Sequence, residues 1–241
     1  IGATKDGRLT ASQVELYYQA GAFPGAPVMP GVMCAFAPYD LENVDAVAFD
    51  VVSNRPKVAA YRAPGAPMSE SAVEATSDEI CNRIGMDPVE FRLKNAAREG
   101  TRAAFGPKFG PIGLVETLEA TKNHPNYHVP LGPNQGRGVA SGFWFNIGGE
   151  TCVTVNVIED GSITVMTGLP DIGGSRASLA LMVAEDLGVD YDKVRPIVAD
   201  TAALGFTFIT AGSRGTFSGG LAAHQAAEKT IDELRSRAAK I

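Results

Sequence analysis

Cysteine is scarce in this chain of 241 residues: Cys34, Cys81 and Cys152 stand far apart, odd in number and without a Cys-x-x-Cys pair. That excludes a disulfide scaffold, a zinc ribbon and an iron–sulfur cluster within these residues, and it favours a reducing compartment, the cytoplasm. Histidine is just as rare. His124 and His128 are four apart, but Pro125 and Pro130 oppose a helix there and no third ligand is near, so a solvated loop is expected and not a metal site. No apolar run reaches the roughly 18 residues of a membrane span, and the N-terminus lacks the basic and apolar regions of a signal peptide. Positive charge is in deficit, with 21 Lys and Arg against 27 Asp and Glu and a net charge of -6. A nucleic-acid groove or an anionic membrane partner is therefore not expected. Ser69, Ser175 and Ser213 have no Gly-x-Ser-x-Gly setting and no evident histidine, which argues against a serine hydrolase.

What the chain has in quantity is turn chemistry, with 27 glycines and 15 prolines. Two stretches organise the rest: Thr167-Gly168-Leu169-Pro170-Asp171-Ile172-Gly173-Gly174-Ser175-Arg176 and Thr210-Ala211-Gly212-Ser213-Arg214-Gly215-Thr216. Each runs directly into a helix-like segment. Bends of this kind present backbone amides and a positive helix N-terminus to an anion, and missing side chains let a ligand approach the main chain. Two of them point to a large, phosphorylated, partly flat ligand, against the plainer alternative of ordinary turns before helices. For Arg176 and Arg214 the sequence leaves two partners open, a phosphate or a neighbouring carboxylate.

Ile1 to Gly7 reads as a strand end meeting an Asp-Gly hairpin turn, so the chain is expected to begin inside a fold, as a fragment or one subunit. Residues 21–38, with four prolines, predict a loop. Strands are expected over 45–53 and 57–61, the second opening through Arg62-Ala63-Pro64-Gly65 onto a helix over 68–83 that Gly85 caps. Asp87-Pro88-Val89-Glu90 is a strong helix start, and a further helix is expected over 112–121. The second half predicts strands over 139–146, 151–158, 162–167 and 195–199, a helix over 177–187 buried on nearly all sides, and a last helix over 219–240.

Three places taken together resemble one family. Ala60-Tyr61-Arg62-Ala63-Pro64-Gly65-Ala66-Pro67 with its helix and Gly85-Met86-Asp87-Pro88-Val89-Glu90-Phe91-Arg92-Leu93-Lys94-Asn95, then Asp171-Ile172-Gly173-Gly174-Ser175, then Thr210-Ala211-Gly212-Ser213-Arg214, are similar to the molybdenum-binding subunit of the xanthine dehydrogenase and aldehyde oxidase family of molybdenum hydroxylases. The likeness runs over nearly the whole chain. It implies an α/β (α+β) molybdenum-cofactor-binding domain of two similar subdomains, each a mixed sheet plus helices. Their extents are expected at 1–135 and 136–241, each partial at the outer end.

The resemblance further implies molybdopterin, in some members a cytosine dinucleotide, gripped by loop amides, with molybdenum held through the pterin and by no direct protein ligand. Tyr61, Arg62 and Ala63 fall where main-chain N–H groups meet the oxygen ligands of molybdenum. Gly173, Gly174, Ser175 and Arg176 face the cofactor, and Thr210, Ala211, Gly212, Ser213 and Arg214 lie against metal and pterin. Pro64 and Pro30 fall in the substrate pocket, where carbon monoxide dehydrogenases carry Cys and purine oxidisers Arg. The implied reaction is hydroxylation of an aldehyde or N-heterocycle with water as the oxygen source. Electrons would leave to iron–sulfur and flavin subunits or domains, and a homodimer of the whole complex is one arrangement the family uses. Two departures stand out. Gly174 occupies the place of the family's Gln in Gly-Gln-Gly, and no Gly-Glu segment carrying the catalytic base is present, so that base is expected downstream. Glu150, after Gly148-Gly149, is the tempting substitute, yet the start of a strand matches no catalytic position in the family. The other reading is a catalytically incomplete fragment or split-subunit scaffold that binds no cofactor alone.

Overall fold

A computed structural model describes residues 1–198 and 200–241. Two compact units, Ile1–Trp144 and Phe145–Ile241, are each built on a three-stranded mixed sheet. The first opens with the antiparallel strands β1 (Gly2–Ala3) and β2 (Leu9–Gly21). In the turn between them the Thr4 N–H donates to the Arg8 carbonyl at 2.8 Å and the Gly7 N–H to the Thr4 carbonyl at 2.9 Å, with Gly7 at φ 81°. A three-residue hairpin loop needs a left-handed residue in that place, which is why glycine follows Asp6. Helix α1 (Val28–Cys34) then carries the chain to β3 (Val44–Val52), parallel to β2 with Ser12 opposite Val44 and Gln19 opposite Val51. Helices α2 (Ala66–Ile84), α3 (Pro88–Asn95), α4 (Leu114–Asn123) and the single turn α5 (Pro125–His128) complete the unit.

The second unit repeats the scheme. Strands β4 (Val153–Val157) and β5 (Ile163–Thr167) form a hairpin in which Ile158 N–H donates to Ser162 (2.8 Å) and Gly161 N–H to Ile158 (2.9 Å). Gly161 takes φ 81° after Asp160, so the Asp-Gly turn is built twice with the same bonds. Helix α6 (Ser175–Leu187) leads through a one-turn 3-10 helix to β6 (Val194–Val198), parallel to β5, and α7 (Arg214–Ala238) follows. Each unit thus runs hairpin, helix, parallel strand, loop, helix. This is the α+β class of two similar subdomains that the sequence implied.

Burial explains the pattern. Leu9, Phe36, Tyr39, Val73, Cys81 and Phe91 make the core of the first unit, and Ile163, Val165, Leu179, Val183, Val194 and Ala223 that of the second. A hub of charge crosses the first core. Arg92, 1% exposed, donates to Glu74 (2.8 Å) and Asp78 (2.9 Å), while Glu74 also accepts from the Tyr39 hydroxyl and the Ser141 N–H. Burial alone would depress the Arg92 pKa, but Tyr39, Glu74 and Asp78 raise it, so the guanidinium stays charged. Burial, and then the charge of Glu74, likewise push the Tyr39 hydroxyl up.

Several expectations are corrected. Residues 28–34 are helical in spite of the prolines, because Pro27 is the N-cap and Pro30 lies in the first turn, where no intrahelical donor is needed. No strand forms at 57–61, since Arg62, Ala63 and Gly65 take φ of 20°, 53° and 82° and turn the chain away. Nor does one form at 139–146: the Ser141 and Phe143 amides donate to Glu74 and Glu70, one turn apart on α2, at 2.7 Å each. Pro125 starts a helical turn, with His124 as its cap through a bond from Asn126 N–H to Nδ1. Helix α6 is not buried all round, for Leu181 is 56% exposed. Helix α7 begins five residues early because Gly219 and Gly220 serve contact, not breakage: a Cβ there would stand 2.3 Å from Leu169 and 2.9 Å from Met182. Ala199, the end of the expected strand 195–199, lies outside the described residues.

Candidate functional site

The loop from β3 to α2 carries Tyr61, Arg62, Ala63 and Pro64. Arg62 and Ala63 hold positive φ although neither is glycine, and the Tyr61 ring is exposed. Non-glycine residues in this region are strained by about 1–3 kcal/mol each and persist only where their surroundings hold them. Successive amides in such a bend point to one side as an anion-binding concavity. The N–H groups of Tyr61, Arg62 and Ala63 have no acceptor among the described residues.

What holds the bend lies beneath it. The buried Tyr18 hydroxyl donates to the Gly65 carbonyl at 2.9 Å, and Ser69 Oγ donates to the Gly31 carbonyl at 2.6 Å. Gly65 and Gly31 are pressed so closely that a Cβ on Gly65 would lie 2.2 Å from the Pro27 carbonyl oxygen, and one on Gly31 would lie 2.0 Å from the Tyr18 hydroxyl. Pro30 sits on α1 in this contact region, half-buried, and Pro64 is half-buried beside Gly65. Sequence reasoning missed Tyr18, Gly31 and Ser69. Tyr18 read as one more residue of an alternating strand, and nothing in its neighbours signals that its hydroxyl anchors a loop 47 positions on.

In the second unit the two predicted loops differ. At Asp171–Arg176 the Gly173 and Gly174 N–H groups donate to Asp171 Oδ1 at 3.1 and 2.8 Å, and Arg176 pairs with the same carboxylate at 3.3 Å. The amides of Gly173 and Gly174 hold the Asp171 carboxyl below the usual range, so this bend carries its own anion. Of the two partners open for Arg176, the carboxylate is the one it takes. At Thr210–Ser213 the amides of Ala211, Gly212 and Ser213 have no acceptor among the described residues, and the Thr210 hydroxyl is buried without a partner. Arg214 is fully buried and takes neither open partner: its guanidinium bonds to main-chain carbonyls and Thr151.

The helix starts differ, although α1, α4 and α6 share with α2 and α7 the lack of a side-chain cap. At α3, Asp87 caps its own helix by accepting from Val89 and Glu90 N–H at 2.8 and 3.0 Å. Helices α2 and α7 begin at Gly65 (φ 82°) and Ser213 (φ 59°), with no side-chain cap at either. The Ala66 and Arg214 N–H groups donate back to the Ala63 and Ala211 carbonyls, so the amides left open to an anion are those of 61–63 and 211–213, just ahead of each positive dipole end. In each unit taken by itself the open amide row, joined in the second by the buried, unpaired Thr210 hydroxyl, fits a ligand group rich in oxygen acceptors, as the phosphate of molybdopterin is.

Two family models, both describing a molybdopterin cofactor-binding domain, match residues 1–96 and 115–241. The nicotinate dehydrogenase large molybdopterin subunit of Eubacterium barkeri is 35% identical over 125 residues, 50% of this chain and 29% of that protein. The aldehyde oxidoreductase molybdenum-binding subunit PaoC of Escherichia coli (strain K12) is 30% identical over 216 residues, 84% of this chain and 29% of that protein. The chain therefore spans under a third of the length of these relatives. Among solved structures, the aldehyde oxidoreductase from Desulfovibrio gigas matches with a TM-score of 0.78 at 25% identity over 94% of this chain and 27% of that one. Quinoline 2-oxidoreductase from Pseudomonas putida 86 matches with a TM-score of 0.79 at 21% identity over 93% of this chain and 32% of that one, a likeness of fold. Open amide rows on paired α+β units and the match of both halves to one domain type lead to a single conclusion: this chain belongs to the molybdopterin cofactor-binding domain family of the molybdenum-containing oxidoreductases.

Proposed function

We propose that the chain is the cofactor-binding portion of a molybdenum hydroxylase that oxidises an aldehyde or an N-heterocycle with water as the oxygen source. The carrying observation is the pair of acceptor-free amide rows, Tyr61–Ala63 and Ala211–Ser213, each at the uncapped start of a long helix. When bound, the molybdenum carried by molybdopterin would supply the two-electron redox chemistry. The chain's own residues hold and orient it. Tyr61, Arg62 and Ala63 would donate main-chain hydrogen bonds to oxygens at the metal, and Ala211, Gly212 and Ser213 would offer main-chain donors to the cofactor as well. The Thr210 hydroxyl would find its missing partner there. Gly173 to Arg176 would contribute once Asp171 yields its place or shares it. Pro64 and Pro30 would flank the substrate, and no residue of this chain takes the role of catalytic base. Iron–sulfur and flavin partners, a cytosine dinucleotide form of the cofactor and a cytoplasmic setting complete the proposal; the three unpaired cysteines suit such a setting.

One observation favours a cofactor-free scaffold instead: the Asp171 carboxylate already satisfies the Gly173 and Gly174 amides. Molybdenum analysis and the fluorescence of released, oxidised pterin decide between the two. Stoichiometric molybdenum with pterin supports the hydroxylase reading. Protein matured in a host that makes the cofactor, yet empty of both, overturns it.

A further inference from the structure

We infer that Arg214 is a positioning residue for the Thr210–Ser213 amides, and that its charge helps to retain an anionic cofactor over them. This rests on the cofactor-binding role proposed above. The Gly148-Gly149-Glu150 turn, whose glutamate invited a catalytic reading, is the receptor for this arginine. Nε donates to the Gly148 carbonyl at 2.6 Å, and one terminal nitrogen donates to Phe208 at 2.8 Å. The other terminal nitrogen reaches the carbonyls of Gly149 (2.9 Å) and Glu150 (2.7 Å) and the Thr151 hydroxyl (2.5 Å). Gly148 and Gly149 take φ of 72° and 101°, which turns consecutive carbonyls inward. Glu150 contributes its main chain here, not its carboxylate.

The turn so fastened is in direct contact with the loop. Ile147 N–H donates to the Gly212 carbonyl at 3.2 Å, and a Cβ on Gly212 would lie 2.1 Å from the Ile147 side chain. One guanidinium therefore ties the first turn of α7 to residues 148–151 and, through Ile147, sets where Gly212 and its neighbours stand. The planar five-donor fork suits this task and an ammonium does not. Arg214 is also a fully buried cation that no carboxylate pairs with among the described residues; its acceptors are all neutral. A buried charge held by dipoles alone keeps its field, and here that field adds to the positive end of a 25-residue helix. A negatively charged ligand on the open amides supplies the absent counter-charge.

The test uses Arg214→Lys and Arg214→Gln in the intact protein that carries these residues, matured with cofactor. Hydrogen exchange is read at Ile147, Phe208 and Arg214, whose amides bond to the Gly212, Glu150 and Ala211 carbonyls, with α6 as internal control, and pterin release is followed against rising salt. Both variants should speed exchange at Ile147, Phe208 and Arg214 while Leu179–Ala184 stay protected. The glutamine variant should retain pterin about tenfold less well, as expected for loss of a charged partner, and the lysine variant should fall between it and the unaltered protein. Unchanged exchange at these three amides in both overturns the positioning role. Equal retention in the lysine and glutamine variants overturns the role of charge. Should the glutamine variant not fold, exchange in the lysine variant still decides the positioning role, and its pterin release against the unaltered protein tests retention. An unaltered protein without pterin sinks the cofactor reading alone, because the exchange arm remains readable.

Discussion

The Tyr18 hydroxyl and the Gly65 carbonyl, 47 residues apart, are joined by a 2.9 Å hydrogen bond that fixes the end of the Tyr61–Gly65 bend to the central strand of its sheet. Tyr18→Phe removes that bond, and the hydroxyl's contact with the Ser69 side chain, while keeping the ring. It should cost about 1 kcal/mol, since the Gly65 carbonyl then keeps only the longer bonds from the Ser69 N–H (3.4 Å) and Oγ (3.5 Å). Denaturant unfolding gives the cost, and faster exchange of the Ala66 and Ser69 amides, which bond to the Ala63 and Gly65 carbonyls, shows that the lost order is local. A variant as stable and as protected as the parent would mean that the bond carries no load.

Gly65 and Gly85 form a natural control pair. Both take a left-handed φ, 82° and 69°, and both flank α2, yet a Cβ on Gly65 meets a backbone oxygen at 2.2 Å while one on Gly85 meets nothing within 4 Å. Gly85→Ala should cost about 1 kcal/mol, the strain of the conformation alone. Gly65→Ala should cost clearly more and loosen the amide row. Equal losses in urea unfolding would show that crowding at Gly65 is relieved by an easy shift of the Pro27 segment.

Arg92→Met strands Glu74 and the Tyr39 hydroxyl in the first core. Breaking a buried pair by removing one partner costs about 3–5 kcal/mol. The double variant with Glu74→Gln should lose less than the sum of the two single losses, because neither charge is then left alone. Additive losses in a double-mutant cycle would contradict a coupled hub.

Acid and base should act through different, exposed pairs. Hydrogen bonds from Lys94 and Thr4 lower the Asp6 pKa to about 2, so its contribution to stability is present above the carboxylate's unfolded value near 3.9 and is lost as pH falls toward 2. Asp186, 3.0 Å from His224 Nδ1, and then Glu228 raise the His224 pKa. That contribution is full below the unfolded histidine value near 6.5 and disappears as pH rises through the higher native one. The difference in Tm between the parent and His224→Asn should therefore shrink from pH 5.5 toward pH 9. A constant difference would deny the linkage.

Local signals with one physical cause were legible in the sequence. The Asp-Gly turns, the Asp87 cap and the Gly85 and Gly188 helix ends stand where the residues placed them, and a loop does precede each of α2, α6 and α7, although Ser175–Arg176 and Arg214–Thr216 are already helical. What stayed hidden depends on partners far along the chain. Residues 139–146 look like a strand because their side chains suit one, but two glutamates of α2 take the amides a neighbouring strand would need. The glycines of α7 look like breakers because nothing local records how closely α6 approaches. At the site, the loops could be found from composition, whereas their anchors, Tyr18 and the Gly148–Thr151 turn, could not. A hydroxyl aimed at a carbonyl, or a carbonyl aimed at a guanidinium, leaves no pattern in residue order.

The repeated order of hairpin before parallel strand carries a kinetic consequence. In each unit the antiparallel pair closes over three turn residues, while the parallel partner arrives only after a helix, with Ser12 meeting Val44 and Ile163 meeting Val194. Closing the short span loses far less chain entropy than closing the long one. During synthesis the hairpins at residues 2–21 and 153–167 should therefore nucleate first, each a template waiting on the ribosome for the strand that completes it.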